Sequence, residues 1–228
     1  MINNRKIQVT EDGSHTFFMN DMQVTYHSKH GAIQESKHIF IQAGLNYFID
    51  ENARSVTEAI NIFEVGFGTG LNALLSLNAA INCNIKINYT TIELFPLLPE
   101  EFVQLNYAAL INKELQESFI AMHECEWDKV VELDSLFSFK KIKIDLHEFQ
   151  TQQQFHVIYF DAFDPMAQPG LWTEIILKKM YDSLFTNGIL TTYCSKGIVR
   201  RAMQNAGFKV EKLKGPKGKR EIVRAIKI

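Results

Sequence analysis

The spacing of hydrophobic positions changes character near residue 61. Before it, residues 1–34 read as a mostly extended segment in which Met22, Val24 and Tyr26 alternate with polar neighbours. Ile39, Ala43 and Tyr47 then recur at helical spacing, with Phe40 and Phe48 flanking the stripe. From about residue 61, short apolar runs alternate with helical stripes. The run 61–65 leads into the glycine segment GFGTG, and Leu71, Leu74 and Leu75 open a helix whose apolar face fades by Asn78. A β-branched stretch at 85–94 predicts a second strand, and beyond Pro96 helical spacing resumes through Phe102, Leu105 and Ala109. Residues 142–146 predict a short strand, and FHVIYF at 155–160 predicts a fully buried one. Trp172, Ile175, Ile176, Met180 and Leu184 form the stripe of another helix, which Asn187-Gly188 ends before a strand at 189–193. A helix at 196–205 stops at Ala206-Gly207, and 208–213 with 221–228 supply the last two strands.

Strands separated by helices imply a mainly parallel sheet covered on both faces. The last two strands are joined through Gly215-Pro216-Lys217-Gly218 with no helix between them, so they form an antiparallel hairpin. The predicted fold is therefore α/β: a seven-stranded, doubly wound, mainly parallel sheet with a C-terminal antiparallel hairpin and an N-terminal extension. A length of 228 residues suits one core. We expect a single structural domain, with residues 1–60 as an extension packed on a core of 61–228. No repeat, low-complexity tract or Pro/Gly/Ser-rich linker divides it.

Composition adds exclusions. Hydrophobic residues at 46% and charged residues at 22% are ordinary for a soluble protein. No apolar run approaches the roughly 20 residues of a membrane span, and the N-terminus lacks the apolar stretch of a secretory signal. A cytoplasmic protein with no membrane partner is expected. Cys83, Cys125 and Cys194 are too few and too scattered for a disulfide framework or a cysteine zinc site. His27, His30 and His38 share no helix face, so no metal is expected. The net charge of −2 hides an asymmetry, because residues 195–228 hold eleven Lys and Arg against two acids. Such a basic edge suits a polyanion, although a solvated surface has the same composition.

Glu64-Val65-Gly66-Phe67-Gly68-Thr69-Gly70 follows a strand and opens a helix. Its GxGxG spacing, with an acid two positions before the first glycine, differs from the GxGxxG of a dinucleotide loop that cradles pyrophosphate. Glu93 ends the second strand, where a carboxylate reaches a ribose hydroxyl pair. Loop and acid together point to a nucleoside-containing cofactor, and on these residues alone a nicotinamide cofactor stays open.

Asp161-Ala162-Phe163-Asp164-Pro165 follows the buried fourth strand. Ligands of doubly wound folds lie beyond the carboxyl ends of the strands, which puts Asp161 at the mouth of the site. A seven-stranded doubly wound sheet with a terminal hairpin resembles the topology of methyltransferases, an analogy of fold alone. Methyl transfer to an amine requires an aligned lone pair, a place for a proton and exclusion of water. Asp161 suits the orientation of an amine that arrives neutral and the acceptance of its proton. The alternative for Asp161 is a turn or helix-cap aspartate. Phe163 and Trp172 are candidates to stack on a base, against the commoner fate of core packing.

Several separated segments resemble the methyltransferase domain of the MnmC family, bacterial enzymes that modify the wobble uridine of tRNA. They are TYHSKHGAIQESKHIFIQAGL, FEVGFGTGLN, IELFPL, DAFDPMAQPGLWT and TTYCSKGIVRRAMQNAGFKVEKLKGPKGKREIVRA, which together span most of residues 25–225. The resemblance implies a Rossmann-like class I fold and S-adenosylmethionine as methyl donor, leaving S-adenosylhomocysteine. It implies conversion of 5-aminomethyl-2-thiouridine to 5-methylaminomethyl-2-thiouridine at the wobble position. It implies cofactor contacts at Glu64, Gly66, Gly68 and Gly70, Glu93 at the ribose, Asp145 near the adenine, and Asp161 as the active-site aspartate. Glu35 and Ser36, in AIQES, fall on a segment lining the pocket, and Tyr26 is a further candidate.

The family's long form carries a flavin-dependent oxidase domain, for which this chain leaves no room after Ile228, so a stand-alone methyltransferase without flavin is expected. Its loop also has Gln168 where the long form has a lysine. With this family in view, Lys196, Arg200, Arg201, Lys214, Lys217, Lys219 and Arg220 become a candidate patch for the phosphates of a tRNA anticodon arm. Lys217, Lys219 and Arg220 carry that expectation furthest. The competing readings are a methyltransferase for another amine, in a small molecule or a protein, a nicotinamide-dependent oxidoreductase on the same sheet, and a catalytically silent RNA-binding protein.

Overall fold

The computed structural model describes residues 5–52, 59–152 and 154–228. The N-terminal segment folds as an antiparallel sheet of β1 (Arg5–Val9), β2 (His15–Met19) and β3 (Val24–Thr25), in that order. A continuous helical run follows. It starts as α1 (Ala32–Ser36), widens to π winding over Lys37–Asn46 and ends as α2 (Tyr47–Asn52). The wider turn moves the buried face. Ile39, Phe40, Gly44, Leu45 and Phe48 are buried, whereas Ala43 and Tyr47 of the expected stripe are half-exposed. Gly44 permits this run to cross the sheet closely, since a Cβ there would lie 3.2 Å from Thr191 Oγ1 and 3.3 Å from Tyr159 Cε1.

The main sheet begins with β4 (Ile60–Val65), followed by α3 (Leu71–Cys83) and β5 (Ile87–Ile92). The helical spacing after Pro96 is realised in pieces: α4 (Pro99–Phe102), α5 (Tyr107–Ile111) and α6 (Gln116–Glu124). Next come β6 (Val130–Asp134), β7 (Phe137–Ile142), β8 (Phe155–Phe160), α7 (Glu174–Asp182), β9 (Leu184–Thr192), α8 (Gly197–Asn205), β10 (Lys209–Lys214) and β11 (Glu221–Ile226). The strand order is β10-β11-β9-β8-β4-β5-β7-β6. β7, β5, β4, β8 and β9 are parallel, and β11 runs against both β9 and β10. One face packs on the π-wound run, α3 and α6, and the other on α7 and α8.

The α/β architecture and C-terminal hairpin match expectation, and three details differ. The sheet has eight strands, because a β6–β7 hairpin occupies its far edge. The strand expected at 142–146 lies earlier, in β7, where Lys140 and Lys141 mask the alternation. Lys141 is nonetheless 1% exposed, with its Nζ 4.5 Å over the Trp127 ring and bonded to the His123 carbonyl. Residues 143–146 instead form loop at a strand end.

The second difference concerns Trp172. It lies in a 3₁₀ turn (Pro169–Trp172) and not in the helix, which starts after Thr173, whose hydroxyl caps Ile176 N–H. Ile175 is exposed and Leu184 already belongs to β9. The third is Asn187-Gly188, which makes a bulge inside β9 at the register shift against β8, with Asn187 at φ +63°. The boundary expected near residue 60 adjoins 53–58, which lie outside the described residues.

Candidate active site

β4 and β8 lie side by side with β5 beyond β4, so their carboxyl ends open one crevice where the sheet's connections change direction. The glycine loop fills its floor. Gly66 has φ +91°, and a Cβ there would come within 3.1 Å of the Asp161 carbonyl, so glycine lets the loops after β4 and β8 touch. Gly68 has φ +51°, and the Tyr26 ring lies over it, 3.1 Å from where a Cβ would be.

Above this floor lies a cavity of about 380 Å³. Gly66, Gly68 and Thr69 line it from the loop, Glu93 and Leu94 from the end of β5, and Asp145 with Leu146 from the segment after β7. Met19, Met22 and Tyr26 of the N-terminal segment cover it. Glu93 shapes its own corner: Gly68 N–H donates to Oε2 (2.9 Å) and Phe95 N–H to Oε1 (2.7 Å). Asp145 accepts from the His147 N–H (2.8 Å) and contacts His147 Nδ1 (2.7 Å), and these bonds hold its carboxyl below the usual range.

A second cavity, also about 380 Å³, adjoins the first. Tyr26, His27, Asp161, Ala162 and Phe163 line both. Glu35, Asp164, Tyr193 and Lys219 belong to the second alone. Asp161 thus stands on the shared wall. Asn72, in the first turn of α3, donates from Nδ2 to Asp161 Oδ2 (2.9 Å) and to Glu64 Oε1 (3.1 Å), while Thr91 donates to Glu64 Oε2 (2.8 Å).

Burial pushes both acids up. Loss of water, reinforced by Glu35 and opposed by the Asn72 bond and Lys219, takes Asp161 to about 7. Loss of water takes Glu64 to about 8, against its Thr91 and Asn72 bonds and with the Asp161 charge adding to the rise. A carboxyl titrating near neutrality, held by an amide and facing a cavity, has the properties of a proton acceptor.

The expected residues separate into groups. Gly66, Gly68, Glu93 and Asp145 line the first cavity, Tyr26, Asp161 and Phe163 line both, and Glu35 lines the second. Glu64 does not reach a cavity: it is 0% exposed, and its oxygens hold Asn72 and Thr91 beneath the loop. Gly70 lies under the loop as well, where a Cβ would come 2.9 Å from His123 Nε2. Ser36 is buried in the helical run.

Trp172, for which base stacking and core packing are the alternatives, lines neither cavity. It is 5% exposed, packs on Phe160 and Tyr193, and donates from Nε1 to the Phe163 carbonyl (2.8 Å), which sets the loop that bears Phe163.

The basic residues divide too. Lys219 points into the second cavity, Lys217 pairs with Glu11 (2.7 Å), Lys196 pairs with Asp164 (2.5 Å), and Arg201, Lys214 and Arg220 are exposed. Arg200 is half-buried and donates to the Ser195 carbonyl.

Sequence reasoning missed Asn72 and the N-terminal latch. Asn72 was visible only as the residue two places after the last glycine. In the latch, Arg5 donates to the Tyr26 hydroxyl (3.0 Å), to the Phe95 carbonyl (2.6 Å) and to Glu101 (2.7 Å), which ties the cavity cover to its rim.

The walls of the first cavity suit S-adenosylmethionine. Glycines keep the floor bare, Glu93 brings a carboxylate to the wall at the end of β5, and apolar Ile92, Leu94, Ile144 and Leu146 line the space beside Asp145. Among the described residues lining it there is no Lys or Arg, which suits a sulfonium cation better than a pyrophosphate.

A family model described as S-adenosyl-L-methionine-dependent methyltransferase matches residues 105–228, more than half of the chain. The bifunctional tRNA 5-methylaminomethyl-2-thiouridine biosynthesis protein MnmC of Methylobacillus flagellatus is 26% identical over 209 residues, which cover 87% of this chain and 32% of that protein. An uncharacterized protein of Methanocaldococcus jannaschii is 26% identical over 222 residues, covering 96% of this chain and 58% of its own length. The chain thus spans about a third of the MnmC relatives it matches. The crystal structure of MnmC2 from Aquifex aeolicus superposes with a TM-score of 0.74 at 26% identity, over 97% of this chain and 70% of the other. Together with the crevice at the ends of β4, β5 and β8, these matches make the nicotinamide reading untenable: the chain belongs to the S-adenosyl-L-methionine-dependent methyltransferase family.

Proposed function

We propose that this protein methylates the exocyclic amine of 5-aminomethyl-2-thiouridine at the wobble position of tRNA, with the donor in the first cavity and the modified base entering the second. The observation that carries this reading is the position of Asp161 on the wall common to both cavities. S-adenosylmethionine, when bound, supplies a methyl group made electrophilic by its sulfonium. Asp161 orients the amine and holds the proton it sheds as the new N–C bond forms and the S–C bond breaks, the electron pair going to sulfur. Asn72 fixes the carboxylate from behind, and its second bond to Glu64 fixes Asn72. Tyr26 and Phe163, with ring centroids 5.0 Å apart, narrow the passage between the cavities and exclude water. A wobble base must leave its stack to reach a site at this depth, and Phe163 offers a ring face for it.

The acceptor and the nucleic acid are supported by the MnmC relatives, whose name refers to tRNA 5-methylaminomethyl-2-thiouridine biosynthesis. The phosphates of the anticodon arm would lie along exposed Arg201, Lys214 and Arg220. Nucleoside mass spectrometry of tRNA from cells lacking the protein tests the reading. We expect 5-aminomethyl-2-thiouridine to accumulate and its methylated form to disappear. An unchanged nucleoside profile, with methyl transfer to some other amine in vitro, would replace the acceptor.

A further inference from the structure

The second cavity contains an electrostatic problem. Glu35 reaches it from α1, and Asp161 and Asp164 from the loop after β8, whereas Glu64, bonded to the same Asn72 as Asp161, stays largely protonated near neutrality because burial pushes it up to about 8. Carboxylates around an amine favour its cationic form, and an ammonium nitrogen has no lone pair to offer a methyl group. Cations must oppose this. Asp164 is already answered by Lys196 at 2.5 Å, a bond that holds its carboxyl down despite partial burial. His27, whose ring abuts Thr69, is driven down to about 4 by burial and contributes no charge near neutrality. Lys29 lies at the exposed rim, and Tyr193 stays neutral because burial pushes its hydroxyl up. Lys219 is left to face Glu35 and Asp161.

Lys219 is not a stray surface lysine. It belongs to the turn between β10 and β11, and that turn is docked on the N-terminal segment. Lys217 pairs with Glu11 at 2.7 Å, and Gly218, at φ +85°, lies so close to the His30 ring that a Cβ would overlap it. The same docking carries Lys219 Nζ to 3.4 Å from Glu35 Oε1 and 4.6 Å from the centroid of the Tyr193 ring, whose hydroxyl donates to the Ala162 carbonyl next to Asp161. Two chain segments about 190 residues apart are thus held together to place one ammonium group beside the acceptor.

We propose that Lys219 is the positioning residue that keeps the acceptor amine neutral: its ammonium offsets Glu35 and Asp161, so that the incoming amine retains its lone pair and Asp161 stays free to take the proton. This rests on the acceptor being an amine, as proposed above, and gives the KGPKGKR segment a role within the site in place of a phosphate contact for Lys219. Asp161 responds in the same sense, since Lys219 draws its carboxyl down.

The test compares wild type with Lys219→Met and Lys219→Arg on an anticodon stem-loop bearing 5-aminomethyl-2-thiouridine, following kcat with donor and stem-loop both saturating, since kcat reports ionisation within the bound complex, from about pH 6 to pH 10, a range over which phosphodiesters keep their charge. In Lys219→Met the midpoint of the rise with pH should move up by about one unit, so that transfer falls about tenfold near neutrality and recovers at alkaline pH. Lys219→Arg should restore the wild-type midpoint. A loss equal at every pH, or a raised KM with an unmoved midpoint, would mark a phosphate or packing contact and overturn the proposal.

The Asp161 carboxyl, titrated by ¹³C resonance in the folded protein and assigned with Asp161→Asn, gives a second reading without turnover. Its midpoint should rise in Lys219→Met, and an unmoved midpoint also overturns the proposal. A wild type inactive on this stem-loop would refute the acceptor assignment, while the titration would still decide the role of Lys219.

Discussion

The two cavities that meet at Asp161 are built in opposite ways. The first is made of strand ends and bare backbone: Gly66 and Gly68 of the GxGxG loop, a glutamate at the next strand's end, and apolar walls. The second is made of side chains brought from α1, the loop after β8, the end of β9 and the β10–β11 turn. A donor common to many methyltransferases needs only a surface that any doubly wound sheet presents at its switch point. A particular acceptor needs polar groups at defined points, and only tertiary folding assembles them. Donor binding and acceptor chemistry should therefore separate under mutation.

The largest expected effect falls on the shared wall. Asp161→Ala should lower single-turnover methyl transfer by about 10²–10⁴-fold, the range for loss of a positioned proton acceptor, while donor affinity measured by calorimetry stays within a few-fold. Near-normal transfer by this variant would remove Asp161 from the mechanism. Glu93→Ala should show the reverse emphasis. Loss of a charged acceptor at the ribose corner predicts donor binding weaker by about 10–100-fold, with transfer at saturating donor far less affected. Equal loss of both parameters in both variants would mean that the two cavities do not act separately.

The buried acid beneath that wall should be visible in stability. Glu64 is raised from 4.5 to about 8 in the folded state, so the stabilisation it favours is fully present below about pH 4.5 and is lost as pH rises through 8. His27 and His123 are lowered from 6.5 to about 4 and about 3, so their contribution is fully present above 6.5 and is lost only in acid. Between pH 6.5 and 8 these histidines no longer change, and the carboxyls dominate the slope. Denaturant unfolding across that interval should show stability falling, and Glu64→Gln should remove about 2 kcal/mol of the fall. An unchanged slope in Glu64→Gln would place its ionisation elsewhere.

The smallest effects belong to the surface. Arg220→Glu should reduce the salt slope of tRNA binding by about one charge. Lys217→Glu should do less directly, because Glu11 already answers that ammonium. Titration of binding against ionic strength checks both, and identical slopes in all three proteins would take this turn off the tRNA path.

The same contrast explains what could be read from the sequence. The strand FHVIYF coincides with β8, and the GxGxG loop and Glu93 lie where their spacing puts them, because each signal is local. β7 was expected too late in the chain since Lys140 and Lys141 break its alternation, Lys141 setting its ammonium over the Trp127 ring, and β6 escaped notice because this edge strand buries no alternating face. Trp172 looked like part of a helical stripe, yet its indole N–H is needed at the Phe163 carbonyl. Asn72 carries no pattern of its own, and its importance comes from two carboxyls that approach it from different strands. Lys219 is one cation among eleven in its segment until the turn that bears it docks against residues near Glu11 and His30.

The central claim is that a donor in the strand-end cavity and an amine in the side-chain cavity meet across Asp161. Single-turnover transfer of a deuterated methyl from S-adenosylmethionine to tRNA carrying 5-aminomethyl-2-thiouridine tests it most directly, with wild type and Asp161→Asn side by side and donor binding measured in both. The account predicts label on the exocyclic nitrogen with wild type, and intact donor binding with transfer slowed by at least about a hundredfold in the variant. Label on that nitrogen at the same rate in both proteins would contradict it.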